Sequence, residues 1–239
     1  MTALSVNINK IATLRNARGG EIPNLLEHAQ NIEKFGANGI TAHPRPDERH
    51  VKYEDVRTLK KHLKVELNIE GNPKEKSFID LVLETTPKQV TLVPDTTGQL
   101  TSDHGWDTIK EKEFLIEMND LFSSKGIRTS LFVDPEEKFI VGAKETGADR
   151  IELYTESYAA LYKKDRSIAI SPYIKAAQIA SDLKLGINAG HDLNLENLNF
   201  FFSNIPNLKE VSIGHALIAD ALDYGMGNTV KMYLNALRK

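Results

Sequence analysis

No cysteine occurs in this 239-residue chain, which excludes disulfides, thiolate metal ligands and a cysteine nucleophile. No apolar run approaches the ~20 residues that a membrane helix requires, so no membrane association is expected. The opening Met1-Thr-Ala-Leu-Ser-Val lacks the basic stretch followed by an apolar one that marks a secretory signal. These absences together point to a cytoplasmic protein. Heptads, low-complexity tracts and a Pro/Gly/Ser-rich linker are missing too, so one domain over residues 1–239 is expected. Net charge is only −3, which gives no global attraction to nucleic acid or to an anionic membrane. Any anion site must therefore be built from local positive charge.

The chain does contain a recurring alternation. Short apolar, β-prone runs at 5–8, 39–42, 65–69, 90–93, 128–132, 150–154, 185–189 and 210–213 are separated by amphipathic segments. Leu25, Leu26, Ala29, Ile32 and Phe35 share one helical face, as do Phe139, Ile140 and Ala143. Several helices are expected to stop at glycine shortly before a strand, at Gly36, Gly126, Gly147 and Gly186. Strand and helix in alternation imply parallel pairing with right-handed crossovers. Eight such units within a length close to ~250 residues indicate a single (β/α)₈ TIM barrel in the α/β class. A doubly wound open sheet is the alternative.

Barrel active sites lie at the C-terminal ends of the strands, and polar residues collect there in this chain. Strand one carries Asn7 and leads to Asn9 and Lys10, and strand two reaches His43 and then Arg45. Strand three ends at Glu70 and strand four at Asp95, ahead of a polar loop through Thr101. Strand six holds Glu152, strand seven runs out through His191 and Asp192, and strand eight through Ser212, Gly214 and His215. One histidine after an apolar strand is ordinarily a hydrogen-bonded residue at the edge of the core. Three histidines and a glutamate at the equivalent ends of four strands point instead to catalysis at one mouth.

Histidine and carboxylate are also metal ligands, but closely spaced His pairs are absent. His43 and His50 are separated by a loop containing Pro44 and Pro46, so no metal is expected. His28, His62 and His104 read as surface residues. Two basic groups suit phosphate: Lys10, Arg15 and Arg18 after strand one, and Arg45, Arg49 and His50 after strand two. Solvated surface arginines would explain either group alone. Gly214-His215-Ala-Leu opens a helix whose free N–H groups favour an anion. In isolation Gly214 would pass for a turn glycine. Two phosphorylated small-molecule substrates are the expected partners, without nucleic acid.

Several long motifs then carry a family resemblance. Asn7-Ile-x-x-Ile-Ala-Thr-Leu-Arg-Asn-Ala-Arg18-Gly, Gly39-Ile-Thr-Ala-His43-x-Arg45-x-Asp-x-Arg-His50, Asn68-Ile-Glu70, Asn188-Ala-Gly-His191 and Ser212-Ile-Gly214-His215-Ala resemble the pyridoxine 5′-phosphate synthase family, in order across nearly the whole chain. The resemblance implies a barrel with extra helices, a homo-octamer, and no metal or organic cofactor. It implies condensation of 3-amino-2-oxopropyl phosphate with 1-deoxy-D-xylulose 5-phosphate, giving pyridoxine 5′-phosphate, phosphate and water. By the same resemblance His43 and Glu70 are proton acceptors and His191 a proton donor. Asn7, Arg18, Gly214 and His215 fall at contacts to the amino-ketone phosphate, and Asp192 at a backbone contact to substrate. Asn9, Lys10, Arg45, His50 and Thr101 fall at contacts to the xylulose phosphate. The chain departs from the family pattern at Asn9-Lys10, where Asp-His is usual, at Asp192, where glycine is common, and at Tyr154, which replaces a histidine. Two other functions remain open on the residues alone: a metal-free phosphosugar isomerase or epimerase, and a non-catalytic phosphate-ligand-binding relative.

Overall fold

A computed structural model describes residues 1–96, 98–99 and 101–238. Strands β1 (Ala3–Asn7), β2 (Gly39–Ala42), β3 (Glu66–Gly71), β4 (Gln89–Leu92), β5 (Arg128–Val133), β6 (Arg150–Tyr154), β7 (Gly186–Gly190) and β8 (Leu208–Ile213) pair in sequence order. Every pair is parallel, and β1 closes onto β8 through Ala3 to Val6 against Glu210 to Ile213. The fold is therefore the (β/α)₈ barrel, and the open sheet is excluded. The strands lie within two residues of the runs read from the sequence.

Around the barrel run α1 (Asn9–Asn16), α2 (Leu25–Lys34), α3 (Tyr53–His62), α4 (Lys76–Thr85), α5 (Lys112–Ser123) and α6 (Glu137–Glu145). They are followed by α7 (Glu156–Tyr162), α8 (Arg166–Asp182), α9 (Leu198–Asn204), α10 (His215–Tyr224) and α11 (Met226–Ala236). Among the described residues this is three helices more than eight β/α units need: α1 after β1, α7 after β6, and α11 at the end. Side-chain caps start two of them. Asn24 accepts from the Glu27 N–H ahead of α2, and Asp165 accepts from Ser167 and Ile168 ahead of α8.

Side chains alternate along the strands, and here the alternation has an unusual sense. Leu4, Val6, Ile40, Ile69, Val90 and Ile151 belong to the hydrophobic core shared with the helices. The intervening residues point into the barrel and, Phe132 apart, are mostly small or polar. Ser212 of β8 donates to Thr41 of β2 at 3.1 Å, and Gln89 of β4 donates to Glu210 of β8 at 3.3 Å, both across the interior. Asn68 joins Thr41 and Thr91. Barrels more often fill this space with branched aliphatics. A polar filling is stable only because its groups find one another, and it carries hydrogen-bonding side chains up to the mouth.

Helix ends follow the expected chemistry at three of four positions. Gly36, Gly126 and Gly147 take φ of 107°, 71° and 80°, the region that glycine enters without steric cost. The fourth is corrected. Lys184 takes the left-handed turn with φ 58°, while Gly186 lies inside β7. A Cβ on Gly186 would stand 2.6 Å from Arg150 Cγ. Close packing, not turn geometry, calls for glycine there.

Candidate active site

At the C-terminal mouth lies a cavity of about 410 Å³ lined by Asn7, Asn9, Lys10, His43, Arg45, His50, Glu70, Thr101, His191, Asp192, Gly214 and His215. Every residue expected from the resemblance to be catalytic or to touch substrate is there except Arg18. Arg18 is exposed beyond the end of α1, outside the lining. Its neighbour Arg15 turns inward and forms a two-pronged pair with Asp55, at 2.6 and 2.9 Å. That pair holds Arg15 above its ordinary pKa. One of the guanidinium forks read from the sequence as free for phosphate thus braces α1 against α3.

The first chemical wall is built from β1, β2 and β3. Asn7 Nδ2 donates to Glu70 Oε2 at 3.2 Å, and His43 Nδ1 stands 3.7 Å from the same oxygen. Asn7 Oδ1 accepts from the Asn9 N–H, and Asn9 Oδ1 accepts from the His43 N–H, each at 3.0 Å. Asn9 therefore anchors the backbone of His43 as well as facing the cavity. Burial lowers the His43 pKa well below the usual histidine value, and Arg45, His50 and Arg49 add to the effect. His50, 6.0 Å from His43 ring to ring, is lowered to about 4 by burial and by Arg45 and Arg49. Both rings are neutral near pH 7. Burial pushes Glu70 up to about 7, against the pull of His191 and with the repulsion of Asp95. The contact of His43 with Glu70 is accordingly no ion pair. It joins a neutral imidazole to a carboxyl group that titrates near neutrality, which suits general base work.

Glu152 of β6 lines the same cavity as Glu70, 2 % exposed and 3.5 Å from Thr91 Oγ1. Burial raises its pKa well above the carboxylate range, and Glu70 and Glu210 raise it further. The sequence places Glu152 on the right strand but gives it no role, because nothing local indicates a second carboxyl beside it. Gly190 makes room for it: a Cβ there would meet Glu152 Oε1 at 2.5 Å and Ser212 O at 2.7 Å.

The opposite wall is His191, at the end of β7. Its Nδ1 lies 2.7 Å from Asp192 Oδ2 and its Nε2 2.9 Å from Thr101 Oγ1. Burial pulls its pKa down, but the hydrogen bond and charge of Asp192, with Glu70 and Asp95 beyond, hold it above the usual value. Arg45 donates from Nη2 to Asp95 in a short contact and from Nη1 to the Gln99 carbonyl at 3.1 Å. Asp95 also accepts from Ser102 Oγ at 2.7 Å. Arg45 thus reaches the cavity while holding the β4–α5 segment, a tie that only tertiary contact reveals. Across from it, Gly214 and His215 bring the N-terminal end of α10 to the cavity, with Gly214 packed so that a Cβ would lie 3.1 Å from Asn7 Cβ. Among the described residues, no group of three or more His, Asp or Glu is placed to hold a metal ion. Nor is any helix long and apolar enough to cross a membrane.

The closed barrel thus gathers the Glu70–His43 and His191–Asp192 contacts and the N-terminal end of α10 around one cavity at its C-terminal mouth, the place of the active site in barrel enzymes. The chain belongs to the family described as pyridoxal phosphate biosynthesis protein PdxJ, which matches residues 4–239. It is 61% identical to the pyridoxine 5′-phosphate synthases of Christiangramia forsetii and Flavobacterium johnsoniae, covering 100% of each chain. With that of Bacteroides fragilis the identity is 57%, again over 100% of both. Among solved structures, monomers of dimeric phosphoribosylanthranilate isomerase from Thermotoga maritima match with a TM-score of 0.62 at 16% identity, covering 99% of this chain and 98% of that one. At that identity the likeness shows the fold alone.

Proposed function

We propose that this chain is a pyridoxine 5′-phosphate synthase, condensing 3-amino-2-oxopropyl phosphate with 1-deoxy-D-xylulose 5-phosphate to give pyridoxine 5′-phosphate, inorganic phosphate and water. The observation that carries this is the pairing of Glu70 and His43 on one wall with His191 on the other, in a chain 61% identical over its whole length to enzymes of that name. The reaction needs imine formation, loss of phosphate, hydration, aldol-type ring closure and dehydration. Each of these moves a proton to or from carbon, nitrogen or oxygen, and groups titrating near neutrality serve them best. The amine belongs to the substrate, so no Schiff-base lysine is required. Lys10 supplies charge.

In this reading Glu70 removes the proton next to the carbonyl or imine, and neutral His43 accepts protons during imine formation and dehydration. His191 protonates the departing oxygen. Asn7, Arg18, Gly214 and His215 hold the amino-ketone phosphate, the last two through the α10 N-terminus, while Asp192 meets substrate through its backbone. Asn9, Lys10, Arg45, His50 and Thr101 hold the xylulose phosphate. The enzyme works in the cytoplasm without metal or organic cofactor, as a homo-octamer. Glu70→Gln tests the central role, with both substrates supplied and product followed by absorbance. A fall in kcat of at least ~100-fold is expected from loss of a general base. Ring formation at near wild-type rate would remove Glu70 from the chemistry.

A further inference from the structure

Neighbouring residues in an extended chain point to opposite sides, so a side-chain hydrogen bond between His191 and Asp192 needs a special backbone. His191 supplies it with φ 89°, a region that residues bearing a Cβ seldom enter. The bend is held from several directions. The Asp192 N–H donates to Thr155 Oγ1 at 3.3 Å, and Thr155 Oγ1 donates to the Gly190 carbonyl at 2.6 Å. Asn197, just ahead of α9, donates to the Asp192 carbonyl at 3.3 Å. The outcome is a carboxylate folded back onto the imidazole beside it. With Nδ1 directed to Asp192, Nε2 faces Thr101 and the cavity.

The ring is gripped on a second side. Tyr154 meets it edge-on, with centroids 5.4 Å apart and planes at 81°. Tyr154 in turn packs on Phe132 at 5.2 Å, and its carbonyl accepts from Tyr173 OH at 2.8 Å. Tyr154 and Asp192, two of the departures from the family pattern, therefore converge on one histidine. The charges around that ring are mostly negative. Asp192 touches it, Glu70 of β3 and Asp95 beyond β4 add negative charge from further off, burial pushes the Tyr154 phenol up to about 12, and burial raises the Glu152 carboxyl beside Gly190 well above the carboxylate range. Lys10, Arg45 and His215 line other parts of the cavity.

We propose that Asp192 is a positioning residue of this site, whose carboxylate fixes His191 Nδ1 as a donor, favours the doubly protonated imidazole and aims Nε2–H into the cavity. The inference rests on the reading of His191 as the proton donor. Its consequence is that this enzyme keeps its acid loaded at a pH where an unassisted histidine would have lost its proton. A carboxylate supports a histidine in this way by fixing the tautomer and stabilising the charged ring.

Two measurements on Asp192→Asn test it: the NMR titration of the His191 ring, assigned by comparison with His191→Gln, and the pH profile of kcat. The His191 midpoint should fall by about one unit or more, the size expected on removing an adjacent opposite charge. The alkaline limb of kcat should move down by the same amount, a loss of roughly tenfold at pH 8 per unit moved. KM for either substrate should change less than kcat, and Asp192→Glu should restore part of the shift. Asp192→Gly gives the same comparison where the asparagine variant does not fold. An unmoved His191 midpoint overturns the proposal, as does a fall in kcat that is equal at every pH. A lowered midpoint with an unmoved alkaline limb leaves the pair standing but overturns His191 as donor, and with it the catalytic part of the inference.

Discussion

Glu70 meets opposing demands that can be measured separately. Burial pushes its pKa up to about 7, against an ordinary carboxylate value of ~4.3. As a base it acts only when ionised, so kcat/KM should rise with pH through an acid limb near pH 7. The same shift costs stability. A group whose pKa is raised on folding stabilises the fold fully below its unfolded pKa, and that contribution is lost as pH climbs through the folded value. Glu70→Gln removes the buried charge, and should melt at higher temperature than wild type at pH 8, by the equivalent of roughly 3 kcal/mol. The gap should narrow toward pH 4.5, as followed by thermal denaturation at both pH values. Arg18 poses the converse question, because its side chain lies outside the cavity lining. If it reaches the amino-ketone phosphate when substrate binds, Arg18→Ala raises the KM for that substrate with little change in kcat. An unaltered KM would take it out of the site.

At the level of elements, the ends of β7 and β8 set the catalytic geometry through close backbone approach. Gly190 is the sharpest case, since a methyl group there would run into both Glu152 and Ser212. Gly190→Ala should destabilise the fold by ~1–3 kcal/mol, the usual cost of overpacking. It should also lower kcat, by displacing Glu152 in the cavity lining. Urea denaturation beside steady-state kinetics checks both, and a variant as stable and active as wild type would contradict the packing. The polar barrel interior is an element-scale property as well. Its alternation is written in the strands, for example Leu67-Asn68-Ile69-Glu70 and Val211-Ser212-Ile213, with the aliphatics facing the helices. The apolar density of these runs hides it, since a strand covered by helices outside and polar groups inside still looks buried throughout. Arg15 shows a related limit. Three residues from Arg18 in the same basic segment, it is committed to Asp55 on a helix 40 positions away, and no local pattern distinguishes the two.

For the whole molecule, retained activity in excess chelator is expected, and loss of turnover there would bring back a metal enzyme. Gel filtration with light scattering should give the mass of an octamer, and a monomer peak would contradict that assembly. The sequence by itself determined the eight-fold alternation, the location of the polar residues at the C-terminal strand ends and the family. These are properties of periodicity and of ordered motifs, and periodicity needs no third dimension to be read. Only the tertiary structure decided which groups act on one another. Glu152 came to share a cavity with Glu70, Arg45 to pair with Asp95, Asn9 to stand behind His43, and Tyr154 to pack against a His191 bent toward Asp192. The reason is physical. Closing the barrel brings side chains from non-neighbouring strands within hydrogen-bonding distance in a space screened from water, and burial there sets which of them are charged.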